Sequence, residues 1–216
     1  MREVVARPEA QVLLVVVVVL VFEWHHRDSW GLVPHRYWTF GWFATSVACF
    51  FLVPVLFAAL HPRLKVADTG LGLGDVRWWG KWTVLLYAVM VPVLMAAASR
   101  QEFRDFYPIW SGARDGGLPL LAYEASYAAY FFAWEYLYRG FLLQPLARIS
   151  GPIAIVMQAV PFALTHFTKP EPEVWGAIVA ALVLGTLAWR ARSFWPAFLL
   201  HAACAITFDL LCVYLP

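Results

Sequence analysis

AWEYLYRGFLL, residues 133–143, sets the carboxylate of Glu135 four residues ahead of the guanidinium of Arg139 inside a run that is otherwise soluble in hydrocarbon. Upstream the run continues through LPLLAYEASYAAYFF, residues 118–132, and its length is that of a membrane span. Composition says the same of the whole chain. Its 216 residues are 62% hydrophobic and 14% charged, with a mean hydropathy of +0.66, far from the balance of a water-soluble domain. The expectation is an all-α, polytopic transmembrane bundle that spends its polar residues sparingly.

Six further apolar runs follow the same rule. They extend over Gln11 to Phe22, about Tyr37 to Leu60, about Trp82 to Ala98, Pro152 to Phe167, about Val174 to Trp189, and Phe194 to Leu215. Seven helices are therefore expected in one integral bundle. Residues 1–117 hold the amino-terminal helices and interfacial loops, and residues 118–216 hold a core formed by the last four. The first run could imitate the core of a signal peptide. Glu3 and Glu9 precede it, however, and Glu23-Trp24-His25-His26 stand where small cleavage-site residues belong, so it is expected to be retained. SWGLVPHRYW (Ser29 to Trp38) and GLGLGDVRWWGKW (Gly70 to Trp82) combine Trp with Arg and Lys and are expected to be interfacial loops. GLGLG lacks the Lys-Ser/Thr that follows a phosphate-binding loop and is expected to be a turn.

A net charge of +2, spread between apolar runs, excludes a nucleic-acid surface. Arg2, Arg7, Arg63, Lys65, Arg77, Lys81, Arg148, Arg190 and Arg192 fall on the amino-terminal side of the bundle. Arg27, Arg36, Arg100, Arg104, Arg114 and Lys169 fall on the other, a bias toward a cytoplasmic amino terminus. Cys49, Cys204 and Cys212 lie in apolar runs and are expected to be packing residues.

Ionisable groups within spans are costly, so those present face the bundle interior or serve chemistry. Glu124, Ala128, Phe131, Glu135 and Arg139 recur at spacings of three and four and share one helix face. Glu135 and Arg139 can pair, which alone is as consistent with a structural ion pair as with chemistry. His166 ends the fifth run, and the last carries His201 and Asp209. Brought together, these residues are a set that can activate water: a carboxylate base, a guanidinium to hold it, and imidazoles to orient water or stabilise an oxyanion. The same donors could bind a divalent metal, although two histidines without a His-Glu-x-x-His helix argue against tightly bound zinc. At about 1.5 Å per residue, Glu135, His166 and Asp209 come out level in the bilayer and His201 shallower. KPEPE, Lys169 to Glu173, has the composition of a solvated loop, with Glu173 as a reserve acid.

WEYLYRG (Trp134 to Gly140), FALTH (Phe162 to His166) and HAACA (His201 to Ala205), in that order, resemble the motifs of the CAAX protease and bacteriocin-processing (CPBP, or Abi) family of intramembrane endopeptidases. The resemblance covers about the last hundred residues. That family carries Glu-Glu-x-x-x-Arg, Phe-x-x-x-His and His-x-x-x-Asn/Asp. Here Trp134 stands for the first glutamate and Ala205 for the last Asn or Asp, with Asp209 one turn further on. The resemblance implies a multi-pass protein of a bacterial plasma membrane that hydrolyses a peptide bond in a membrane-associated peptide or lipidated protein tail. Glu135 would take a proton from water and Arg139 would fix its rotamer. His166 would position the water, His201 would stabilise the oxyanion, and Asp209 would orient a histidine. The competing expectations are a catalytically silent binding or immunity protein on the same scaffold, and a small transporter or proton relay. No repeat or Gly/Pro-broken helix pair supports the transporter.

Overall fold

The computed structural model describes residues 7–26 and 34–215, and among them the chain is all-helical. The helices are α1 (Pro8–His26), α2 (His35–Leu60), α3 (Val76–Ala98), the short α4 (Gln101–Phe106), α5 (residues 117–150), α6 (Ile153–Leu164), α7 (Glu171–Ala191) and α8 (Trp195–Tyr214). A helix stands at each of the seven expected runs, and α4 is an additional short helix. α1, α2, α3, α7 and α8 are each long and apolar enough to cross a membrane, and α6 is a shorter apolar helix. Outward-facing Val17, Val18, Leu56, Val84, Val89, Val160 and Val179 are exposed, which suits a surface solvated by lipid tails. The chain is a multi-pass membrane protein.

α5 is the central post. It is built from Gly117–Glu135, a π-helical segment Tyr136–Leu142, and Leu143–Ser150, and every residue of the π segment is buried. Pieces of α1, α2, α6, α7 and α8 pack around it. A helical segment enclosed on all sides, as this π segment is, needs apolar residues all round, and Tyr, Phe and Leu supply most of them here. A second π segment, Ala48–Leu52 of α2, packs against the one in α5. At about 1.5 Å per residue α5 is roughly 50 Å long, more than a hydrocarbon layer of about 30 Å.

Two loop expectations need correction. α3 begins at Val76, and the Asp75 carboxylate accepts from Trp78 N (3.0 Å) as its N-cap. Arg77, Trp78, Trp79, Lys81 and Trp82 therefore lie on the first two turns of a helix, where the Trp-basic composition had suggested a loop. Ser29–Val33 of the other expected interfacial loop, with Arg2, Glu3 and Arg27, lie outside the described residues. Its remainder forms one 3-10 turn, His35–Tyr37, leading into α2.

GLGLG is a turn, with Gly70 and Gly74 at positive φ (75° and 64°). Gly70 O accepts from Phe194 N (3.1 Å), and Leu71 O accepts from Trp195 Nε1 (3.0 Å), which pins the turn to the start of α8. The preceding residue, Thr69, approaches the π segment so closely that a Cβ on Gly140 would lie 2.6 Å from Thr69 O. Gly140→Ala should therefore lower the thermal midpoint by the equivalent of roughly 1–3 kcal/mol, the usual range for overpacking a filled site. A midpoint equal to wild type would show that the close approach carries no constraint.

The loop between α2 and α3 is also tied to the end of α5, where Arg148 Nη2 lies 2.6 Å from Asp68 Oδ1. The hydrogen bond from Arg148 holds the Asp68 carboxyl below its usual range. A depressed folded-state pKa contributes stability above the unfolded value of about 3.9 and loses it as pH falls through the folded value. Arg148 is half exposed, so Asp68→Asn should cost at most about 1 kcal/mol at neutral pH. The gap between variant and wild-type melting temperatures should close on acidification below pH ~4.

Candidate active site

Glu135 closes the α-helical part of α5, and Arg139 sits in the middle of the π segment that follows. A π segment widens the helix by one residue per turn and re-aims side chains, which is why such segments recur at functional sites. Both side chains are fully buried. Glu135 Oε1 accepts from Arg139 Nη1 at 3.2 Å, and Oε2 lies 3.1 Å from Arg139 Nε. Oε1 is also 2.6 Å from His201 Nδ1 on α8. One buried carboxylate thus holds a guanidinium and an imidazole together.

Phe162 lies at the middle of the site. Arg139 Cζ stands 4.0 Å over its ring centroid, and the His166 and His201 rings are 4.6 and 6.1 Å from it. Trp134 packs against Phe162 (6.0 Å), His166 (6.3 Å), Tyr138 (5.2 Å) and Phe50 (5.6 Å). Where the related motif has its first glutamate, this chain has an aromatic wall. Phe131 covers His201 from α5, with ring centroids 4.3 Å apart.

The two histidines are held in the same way. His166 lies in the turns after α6, where its Nδ1 is 2.8 Å from Phe162 O. A carbonyl only accepts, so Nδ1 carries the hydrogen and Nε2 keeps its lone pair. His201 Nδ1 meets the Glu135 carboxylate and is assigned as a donor for the same reason. Each imidazole therefore has a fixed tautomer and a free Nε2. Both rings are half-buried, whereas Glu135 has no exposed surface.

Glu135, Arg139, His166 and His201 come together, and Asp209 does not. Asp209 lies on α8 eight residues beyond His201, about 12 Å along the helix, buried beside Tyr123 and within electrostatic reach of Lys169 and Glu173. The role of orienting a histidine, expected of Asp209, is filled by Glu135 for His201 and by Phe162 O for His166. His201 meets Glu135 and Asp209 does not, the reverse of the depth estimate, which assumed that the helices start at one common level. Glu173 also lies away from the histidines, on the first turn of α7 against Tyr107, so KPEPE is not a solvated loop. Phe162 and Trp134 were visible as motif positions, but nothing in their composition marked them as the walls of the site.

The donor set fits a metal poorly. Two imidazole nitrogens are available, but both oxygens of the third donor, Glu135, face Arg139 and His201. Among the described residues no group of three or more His, Cys, Asp or Glu side chains is arranged to hold a metal ion.

Residues 118–207 match the family model described as type II CAAX prenyl endopeptidase Rce1-like. The segment contains Glu135, Arg139, His166 and His201 and ends before Asp209. The resemblance to the CPBP family holds over this stretch, 90 of the 216 residues. No curated protein matches the chain, and no solved structure does.

Proposed function

We propose that the protein is an intramembrane endopeptidase in which His201, oriented by Glu135, activates the attacking water. The observation that carries this reading is the 2.6 Å contact between Glu135 Oε1 and His201 Nδ1, with both carboxylate oxygens turned away from open space. Glu135 is then a poor direct base, and His201 Nε2 is the group that can meet water. In the proposed step His201 Nε2 takes a proton as the water oxygen bonds to the peptide carbonyl carbon. The tetrahedral intermediate collapses with cleavage of the C–N bond, and the imidazolium returns the proton to the leaving amine. Glu135 stabilises the imidazolium, and Arg139 holds the Glu135 carboxylate in place.

His166 Nε2, across Phe162, is suited to hold the water or the scissile amide. Arg139 Nη2 and Trp134 Nε1 are buried donors with no acceptor among the described residues, and a substrate carbonyl oxygen would supply one. The family description makes a prenylated CAAX tail the first substrate to try. Leader peptides and carboxy-terminal sorting tails are the other classes the motifs suggest.

In liposomes holding the purified protein, His166→Ala should slow release of the carboxy-terminal fragment of a prenylated peptide by about 10²-fold or more, the range of a lost acid-base group. Cleavage by His166→Ala at the wild-type rate would remove His166 from the mechanism. If wild type binds the tail without cutting it, the silent binding protein becomes the better reading.

A further inference from the structure

KPEPE turns its charges inward. Lys169 Nζ donates to Tyr107 Oη at 2.8 Å and stands over the Tyr107 and Phe106 rings at 4.7 and 4.9 Å. Tyr107 Oη in turn donates to the Glu173 carboxylate, whose oxygens are 2.7 and 2.8 Å away, and Lys169 Nζ is 4.0 Å from Glu173 Oε1. Only 15% of the Lys169 side chain and 25% of that of Glu173 is exposed. Tyr107 is itself pinned from behind, since Arg114 Nη2 donates to its carbonyl at 2.7 Å. Asp209, fully buried, faces the same cluster from α8 and attracts Lys169. Burial lowers the Lys169 pKa below the ordinary lysine range, and Glu173 and Asp209 oppose that shift.

This cluster sits three residues from His166. Beyond Leu164 the backbone is no longer helical. It runs through tight turns in which His166 N donates to Ala163 O (3.0 Å) and Lys169 N to His166 O (2.9 Å). Phe167 and Thr168 point outward. The far end of the His166 turn is therefore fastened by Lys169, whose single amine links it to the connection between α4 and α5 through Tyr107 and to α7 through Glu173, while the Asp209 charge on α8 attracts it from farther off.

We propose that Lys169, gripped by Tyr107 and Glu173 and facing the buried charge of Asp209, is a positioning residue that clamps the turn carrying His166 against Phe162 and Trp134. The proposal extends the peptidase reading by giving Asp209 a role that its distance from His201 left open. A buried amine is costly, and an apolar side chain could fill the same space. The charge and the hydroxyl bridge tie the turn to two elements at once, the α4–α5 connection and α7, which packing alone would not. Holding a catalytic group to within about 1 Å matters, because a misplacement of that size can cost about 10²-fold in rate.

The test reads His166 without any substrate. Carbethoxylation of each histidine by diethylpyrocarbonate is followed by mass spectrometry on the full chain in liposomes. Lys169→Met should raise the His166 rate about fivefold or more, as local opening frees the turn, with His201 unchanged. Tyr107→Phe, which removes only the bridging hydroxyl and keeps the ring, should give a smaller rise in the same direction. Lys169→Arg should restore the wild-type rate to within about twofold, because a guanidinium can make the same charged contacts. Equal His166 rates in wild type, Lys169→Met and Tyr107→Phe would overturn the clamp. So would a parallel rise at His201, which signals general loosening of the fold. Failure of wild type to cleave any peptide would count against the peptidase reading, while the labelling would still decide the clamp.

Discussion

Glu135→Gln should abolish cleavage and destabilise the bundle in one step. The substitution keeps an oxygen that His201 can still donate to, but it removes the charge that balances Arg139, which is fully buried. Leaving one partner of a buried pair without its counter-charge typically costs about 3–5 kcal/mol. Hydrolysis should fall by about 10²–10⁴-fold, because the imidazolium formed at His201 loses its stabilising anion. The two effects can be separated. Glu135→Gln combined with Arg139→Met removes the stranded charge as well, and should recover much of the lost melting temperature while leaving the protein inactive. If the double variant is no more stable than Glu135→Gln alone, the pair does not balance itself as described.

His201→Ala should have the opposite profile, with activity lost and the fold kept. The His201 side chain is one-fifth exposed and its ring abuts Phe131, so truncation opens space at an edge of the core rather than in its middle. Glu135 retains Arg139, so no buried charge is stranded. Cleavage should drop by about 10²–10⁴-fold, the contribution of a positioned general base. The melting temperature should fall by less than in Glu135→Gln. A His201→Ala protein that cleaves at a tenth of the wild-type rate or better would move the base elsewhere, with His166 next in line.

The difference between these variants reflects what could be read from the chain itself. Spacing of three and four put Glu135 and Arg139 on one helix face, and the order of the motifs put His166 and His201 on separate helices. Hydropathy located a helix at each of the seven apolar runs, five of them long and apolar enough to cross a membrane. Other features left no local trace. The π segment Tyr136–Leu142 looks in sequence like any other helical run, yet it is the segment that carries Arg139. Asp209 is at a helical spacing from His201 that keeps both near one face, but a tilted bundle places different partners opposite them. Tyr107 and Glu173 are 66 residues apart, and KPEPE is as polar as a loop in water. Only the packing of four separate segments turns those charges inward. The start of α3 was misread because Trp, Arg and Lys mark a membrane interface whether they lie in a loop or on the first turns of a helix.

The most direct measurement is cleavage of a prenylated tail peptide in water enriched in oxygen-18, by wild type and by His201→Ala at equal density in the same liposomes. The prediction is that wild type releases an amino-terminal fragment carrying one heavy oxygen in its new carboxylate, and that His201→Ala releases about 10²-fold less or lower still. A fragment released equally fast by both proteins, or formed without solvent oxygen, would contradict water activation by the Glu135–His201 pair.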